Sequence, residues 1–73
     1  MLQMTVKSDE FDTQVLYELH RDKSTDFYYW FNKTHNHILP ELFSNPTIAK
    51  RWMVTVCDEI GAVYAENGGN IKL

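Results

Sequence analysis

Residues 27–39 read FYYWFNKTHNHIL, and the periodicity of this stretch decides the fold. Its first five residues resemble a buried strand, because aromatic side chains are common in sheets. On a helical wheel at about 100° per residue, however, the whole stretch separates into an apolar half and a polar half. The apolar half consists of Phe27, Tyr28, Trp30, Phe31, Thr34, His35, Ile38 and Leu39. A strand gives no reason for such a separation, so we predict a helix over residues 25–39, stopped by Pro40.

The preceding segment, residues 9–22, is also predicted to be a helix. Ser8 is a suitable N-cap, and the helix dipole favours acids in the first turn and bases in the last. The acids here are Asp9, Glu10 and Asp12, and the bases are His20, Arg21 and Lys23. A strand is the alternative, because residues 13–19 also alternate in hydrophobicity and could form a hairpin with residues 27–31.

The third segment, residues 46–66, carries the strongest helix signals. Asn45 is a preferred N-cap and Pro46 a preferred first helical residue. The Asn67-Gly68-Gly69 sequence offers a left-handed stop at the other end. Apolar residues recur at every fourth position, at Ile48, Trp52, Val56, Ile60 and Tyr64. A hairpin of residues 62–66 with residues 70–73 is the rival interpretation of the chain end.

These segments predict an all-α fold, a small three-helix bundle with an extended N-terminal arm. The arm is Met1 to Lys7, where apolar and polar residues alternate as in a short strand. We expect a single domain over residues 1–73, because one core of this size fills one domain. The alternative fold is α+β, an N-terminal β-meander packed on a long C-terminal helix.

The amino-acid composition indicates a globular protein. Hydrophobic residues make up 44% of the chain and aromatic residues 14%, which is enough for a globular core. One cysteine, Cys57, excludes an internal disulfide and favours a reducing compartment. The first residues do not resemble a signal peptide, and no apolar run is long enough to cross a membrane. We therefore expect a cytoplasmic protein that does not interact with a membrane.

Candidate groups for catalysis or metal binding are weak. His35 and His37 point in different directions on a helix and cannot share a metal ion, so we expect no metal and no cofactor. Cys57 lies on the apolar face next to acids, and this setting raises the pKa of a thiol and makes it a poor nucleophile. We therefore expect a protein that is not an enzyme.

The favoured function is a small protein-binding module, an inhibitor or regulator that occupies a surface of a larger protein partner. Tyrosine beside cationic residues on one helix face is typical of recognition surfaces. The candidate binding residues are Tyr17, Tyr29, Lys33, His37, Lys50 and Arg51. Small size further suggests an accessory protein of a phage or mobile element.

The alternative function is a nucleic-acid-binding regulator of the helix-turn-helix type. Residues 41–51 resemble such a motif weakly, with Lys50 and Arg51 as the basic residues near the turn. A net charge of −3 makes nucleic acid the less favoured partner. A homodimer through the 46–66 helix is a further expectation, because so small a core does not readily cover that apolar stripe.

Overall fold

The computed structural model describes residues 2–8 and 14–66. They form one antiparallel sheet of five strands and a single helix, an α+β fold. The elements are β1 (Gln3–Lys7), β2 (Val15–Arg21), β3 (Tyr28–Asn32), β4 (His37–Ile38), α1 (Pro46–Ile60) and β5 (Val63–Glu66). The strand order across the sheet is β4-β3-β2-β1-β5, so the two ends of the described chain lie side by side in β1 and β5.

The predicted three-helix bundle is wrong. The segments expected to be the first two helices instead form the central hairpin, in which Glu18 lies opposite Phe31 and Leu19 opposite Trp30. The physical reason is that β3 carries large aromatic side chains on both faces, so it lacks the simple alternation that identifies a strand. The alternation of residues 13–19 had offered this hairpin as the alternative. Residues 9–13 of the predicted first helix lie outside the described residues.

The N-terminal segment is a strand within the sheet and not an extended arm on a bundle. β1 pairs with β2 on one side and with β5 on the other, both antiparallel. The alternation of its residues therefore indicated the correct element. Its place between two strands makes it as much a part of the sheet as the central hairpin.

The predicted start of the third helix at Pro46 is confirmed. The helix ends at Ile60, before the predicted end at residue 66. The Asn45 side chain accepts a hydrogen bond from the backbone N–H of Ile48 at 2.9 Å, and Pro46 begins the helix. The C-cap of the helix is Gly61, whose φ of 70° is left-handed and whose N–H reaches the Asp58 carbonyl. The chain then continues as β5, and the predicted stop at residues 67–69 lies outside the described residues.

The core lies between α1 and one face of the sheet. Its buried hydrophobic residues are Met4, Val6, Leu19, Trp30, Phe43, Ala49, Met53, Cys57 and Ala62. Trp30 is fully buried, and its indole N–H donates to the carbonyl oxygen of Ala49 at 3.0 Å. This bond joins β3 directly to the helix. With 15 residues, α1 is neither long nor apolar enough to span a bilayer.

The Trp30 contact predicts a large effect of a small substitution. Trp30→Phe removes the hydrogen bond to Ala49 and leaves a void, so we expect a loss of about 1–3 kcal/mol in the free energy of unfolding. Trp52→Phe is the matched control, because Trp52 is only partly buried at the edge of the core. Urea denaturation followed by circular dichroism measures both. Equal losses in the two variants would contradict the role given to Trp30.

Candidate protein-binding face

The sheet has a second face, opposite the helix. Because side chains alternate along a strand, residues next to the core residues in sequence point to this other side. We call it the open face; it consists of Gln3, Thr5, Lys7, Leu16, Glu18, His20, Tyr29, Phe31, Ile38, Val63 and Ala65. Within residues 2–8 and 14–66, α1 is the one helix, and it packs on the other side.

The open face is unusually apolar for a sheet face without a covering layer. Such faces are commonly polar in antiparallel sheets. Here Tyr29 and Phe31 are half-buried, and the side chains of Ile38 and Val63 are 56% and 46% exposed. Near β4 the face continues into a shallow cleft of about 580 Å³, where Leu42 is also exposed. Aromatic and aliphatic side chains are therefore partly exposed together on this face.

Three rings form the centre of the open face. The imidazole of His20 in β2 lies between two aromatic rings of the neighbouring strand β3. Its centroid is 5.6 Å from that of Tyr29 and 5.3 Å from that of Phe31. These distances are within the range of favourable aromatic pairs. The cluster therefore packs the imidazole of His20 against both aromatic rings of β3.

The carboxylate of Glu18 lies beside this cluster and has hydrogen-bond partners within the protein. Glu18 accepts a hydrogen bond from the Gln3 amide at 2.8 Å and contacts His20 Nε2 at 3.2 Å. The Lys33 ammonium lies 3.6 Å from the same carboxylate. The Gln3 and His20 hydrogen bonds lower the pKa of Glu18; partial burial opposes them and the Lys33 charge assists them. An acid of low exposure is therefore kept charged on an apolar surface.

The structure brings together two of the six predicted binding residues, Tyr29 and Lys33, which both belong to the open-face side. Tyr17 is half-buried on the helix side, where burial, assisted by the charge of Cys57, raises its pKa. His37 lies in β4 opposite Asn32, a register position of the helix side. Neither residue can share a contact surface with Tyr29.

The two predicted basic residues of the helix also lie apart from Tyr29. Lys50 forms an ion pair with Glu66 of β5, with its Nζ 2.6 Å from the carboxylate. Arg51 is exposed on α1. Both belong to the layer on the far side of the sheet, so the six residues do not form one surface.

Sequence reasoning missed the residues that complete the open face, above all His20, Glu18 and Phe31. On the predicted helices, His20 was assigned to a helix end and Phe31 to a core. The signal that identifies them is a period of two applied to both strands of the central hairpin. It places His20 next to Tyr29 and Glu18 next to Phe31.

The helix side offers a second cleft, of about 450 Å³, lined by apolar residues and by Tyr17, Asn32 and His35. Asn32 uses its side-chain oxygen to accept the backbone N–H of His35 at 2.9 Å, so this amide stabilises the β3–β4 turn. Burial and the Asp58 charge raise the pKa of the Cys57 thiol, as expected, which makes it a poor nucleophile. Among the described residues, no three His, Cys, Asp or Glu side chains are placed to hold a metal ion.

Comparisons with family models, with curated proteins and with solved structures give no match for this chain.

The Glu18 network predicts a specific dependence of stability on pH. Because the folded-state pKa of Glu18 is lowered, its contribution is present above the ordinary value of 4.5 and is lost as the pH falls through the folded value. Glu18→Gln should be less stable than the wild type at neutral pH and should lose less stability on acidification.

The control for this experiment is Glu59→Gln, which changes an exposed acid of α1. Urea denaturation midpoints at neutral pH and at a pH well below 4.5 provide the comparison. If Glu18→Gln and Glu59→Gln follow the same pH profile, the Glu18 network does not stabilise the fold.

Proposed function

We propose that this protein is a non-catalytic binding module, an inhibitor or regulator that occupies a surface of a larger protein through its open face. The observation that carries the proposal is the set of half-exposed aromatic and aliphatic side chains on a sheet face that no described element covers. A fixed ring cluster beside a satisfied acid suits recognition, because aromatic anchors supply most of the binding energy in many interfaces.

The dimensions of the strands limit how much of a partner the open face alone can contact. Five strands spaced by about 4.8 Å give a width of ~24 Å, and strands of this length extend for ~15 Å. The product is roughly 360 Å², less than half of the ~800 Å² per partner of a standard protein interface, so a complete interface would extend beyond the sheet face. The cleft beside Tyr29 and Ile38 adds a concave end for an apolar anchor.

The helix-turn-helix alternative receives less support. Such a motif needs two successive helices, and the described residues contain only α1. Residues 41–42 are not helical, and Phe43 pairs with Tyr28 as an isolated bridge at the sheet edge. Of the residues proposed for the first helix of the motif, Phe43 is therefore part of the core, whereas Leu42 is exposed.

Other expectations stay predictions. The homodimer was based on the apolar stripe of the third segment, and Ala49, Met53 and Cys57 of that stripe are buried against the sheet. Exposed Ile48 and Ile60 lie at the two ends of α1. A cytoplasmic location and an origin in a phage or mobile element rest on composition and size alone.

A pair of matched isoleucines tests the proposed function. Ile38 is on the open face and 56% exposed, whereas Ile60 is on the helix and 59% exposed. We expect Tyr29→Ala combined with Ile38→Ala to weaken binding to a captured protein partner by about tenfold or more, because truncated anchors commonly cost this much. Ile60→Ala should bind like the wild type.

The measurement is affinity capture from the native cell with the three proteins as bait, followed by titration of the recovered partner in solution. Far-ultraviolet circular dichroism of each variant confirms that the fold is intact. Equal capture by the wild type and by the double variant would contradict binding through the open face.

A further inference from the structure

The helix side of the sheet carries a cleft at the place where α1 ends. Val6, Tyr17 and Asn32 each lie two residues from a core residue on the same strand, so their side chains are on the helix side. Val15 lies opposite Val6 on β2. These four residues and Ile60, the last residue of α1, line the helix-side cleft of about 450 Å³. The sheet and the end of the helix therefore form its walls together.

The size and lining of the helix-side cleft are typical of a site for a small molecule. Such sites have volumes of about 300–1,000 Å³ and combine apolar walls with a few polar groups. Here Val6, Val15 and Ile60 are apolar, and Tyr17 and Asn32 supply polar groups. An apolar cavity of about 150 Å³ already holds benzene, so the helix-side cleft has room for a molecule of two rings.

Asn32 brings a hydrogen-bond donor to the helix-side cleft. Only 8% of Asn32 is exposed, and its side-chain oxygen accepts the backbone N–H of His35. That bond leaves the NH₂ group, which carries two N–H donors. Within residues 2–8 and 14–66 this group has no protein acceptor, yet no fully buried side-chain nitrogen there lacks a partner. The NH₂ group is therefore reachable from the cleft that Asn32 lines.

The hydroxyl of Tyr17 is a second donor at the same wall. Tyr17 lies opposite Asn32 in the β2–β3 pair, and residues in such positions have their Cβ atoms about 5 Å apart. Burial, assisted by the charge of Cys57, raises the pKa of Tyr17, so its hydroxyl stays protonated at neutral pH and can donate. A carbonyl oxygen has two lone pairs and can accept from both groups.

The lining of the helix-side cleft also disfavours a charged ligand. Among the described residues that line it there is no Lys, Arg, Asp or Glu, and the imidazole of His35 is exposed to water. A carboxylate or an ammonium would leave water without gaining a counter-charge, which is costly. The lining therefore favours a neutral molecule.

We propose that the helix-side cleft binds a neutral, mainly apolar small molecule that carries a carbonyl oxygen. The apolar part of this molecule packs on Val6, Val15 and Ile60, and its carbonyl oxygen accepts hydrogen bonds from Tyr17 and Asn32. The helix-side cleft lies on the opposite side of the sheet from the open face. It is therefore a second site, independent of the function proposed above.

Benzophenone and diphenylmethane test this site, because both have two phenyl rings and they differ only in a carbonyl group against a methylene. Each is titrated into the isotope-labelled protein and followed by NMR. We expect benzophenone to shift the backbone signals of Val6 and Val15 and the side-chain amide signal of Asn32. It should bind about 3- to 10-fold more tightly than diphenylmethane, the usual effect of a neutral hydrogen bond.

The variant Tyr17→Phe removes one donor and keeps the aromatic ring. We expect it to bind benzophenone more weakly than the wild type does and to bind diphenylmethane equally well. Tyr28→Phe is the matched control, because Tyr28 is a half-buried tyrosine on the helix side at the other end of β3. It should keep the full preference for benzophenone.

Three results would overturn this proposal. Equal affinity of the wild type for the two probes would remove the role of the two donors, and with it the carbonyl ligand. Shifts confined to Tyr29 and Ile38 of the open face, or no shifts at the solubility limit of benzophenone, would exclude the helix-side cleft as the site. Tighter binding of N-acetylphenylalaninamide than of benzophenone would assign the cleft to a peptide and not to a small molecule.

Discussion

The described residues 2–8 and 14–66 contain a single helix, and one helix cannot cover both faces of their sheet. α1 has 15 residues and is therefore about 22 Å long, enough to cover one face of the five-stranded sheet. Met4, Leu19 and Trp30 define the covered face, and the bond from Trp30 to Ala49 fixes the helix on it. The residues that alternate with these three along the strands have their side chains on the open face.

The composition of the open face is the feature on which the proposed function is based. In a two-layer protein, polar side chains would be expected there, yet β3 carries Tyr29 and Phe31 and β4 carries Ile38. The Glu18 network shows how an acid can be accommodated among them, because its hydrogen bonds come from the same face. The resulting surface has an aromatic cluster at its centre and the Glu18 network beside it. These features are the basis of the proposed binding function.

The sequence was sufficient for some elements and misleading for others. The start of α1 was predictable because Asn45 and Pro46 act locally, through one side-chain acceptor and one fixed φ angle. The alternation of apolar and polar residues in β1 also predicted a strand correctly. The end of α1 was missed because Gly61, which lies inside the predicted helix of residues 46–66, adopts the left-handed C-cap conformation and ends the helix there.

Periodicity did not decide in favour of the central hairpin, although the alternation of residues 13–19 offered it as the alternative. A strand with apolar residues on both faces, such as β3, has no period of two, so a helical wheel can sort its residues by chance. The binding residues proposed from that wheel were consequently divided between the two sides of the sheet. Only the pairing of β2 with β3, a contact between distant residues, places His20 beside Tyr29 and Phe31.

The accessibility of the open face in the free protein is the most direct test of this account. A soluble paramagnetic probe broadens the NMR signals of side chains that solvent can reach. The account predicts strong broadening at Tyr29, Ile38 and Val63 and little at Met4, Leu19 and Trp30. Protection of Tyr29 and Ile38 equal to that of Trp30 would mean that the open face is covered in the free protein, which would contradict its role as a binding surface.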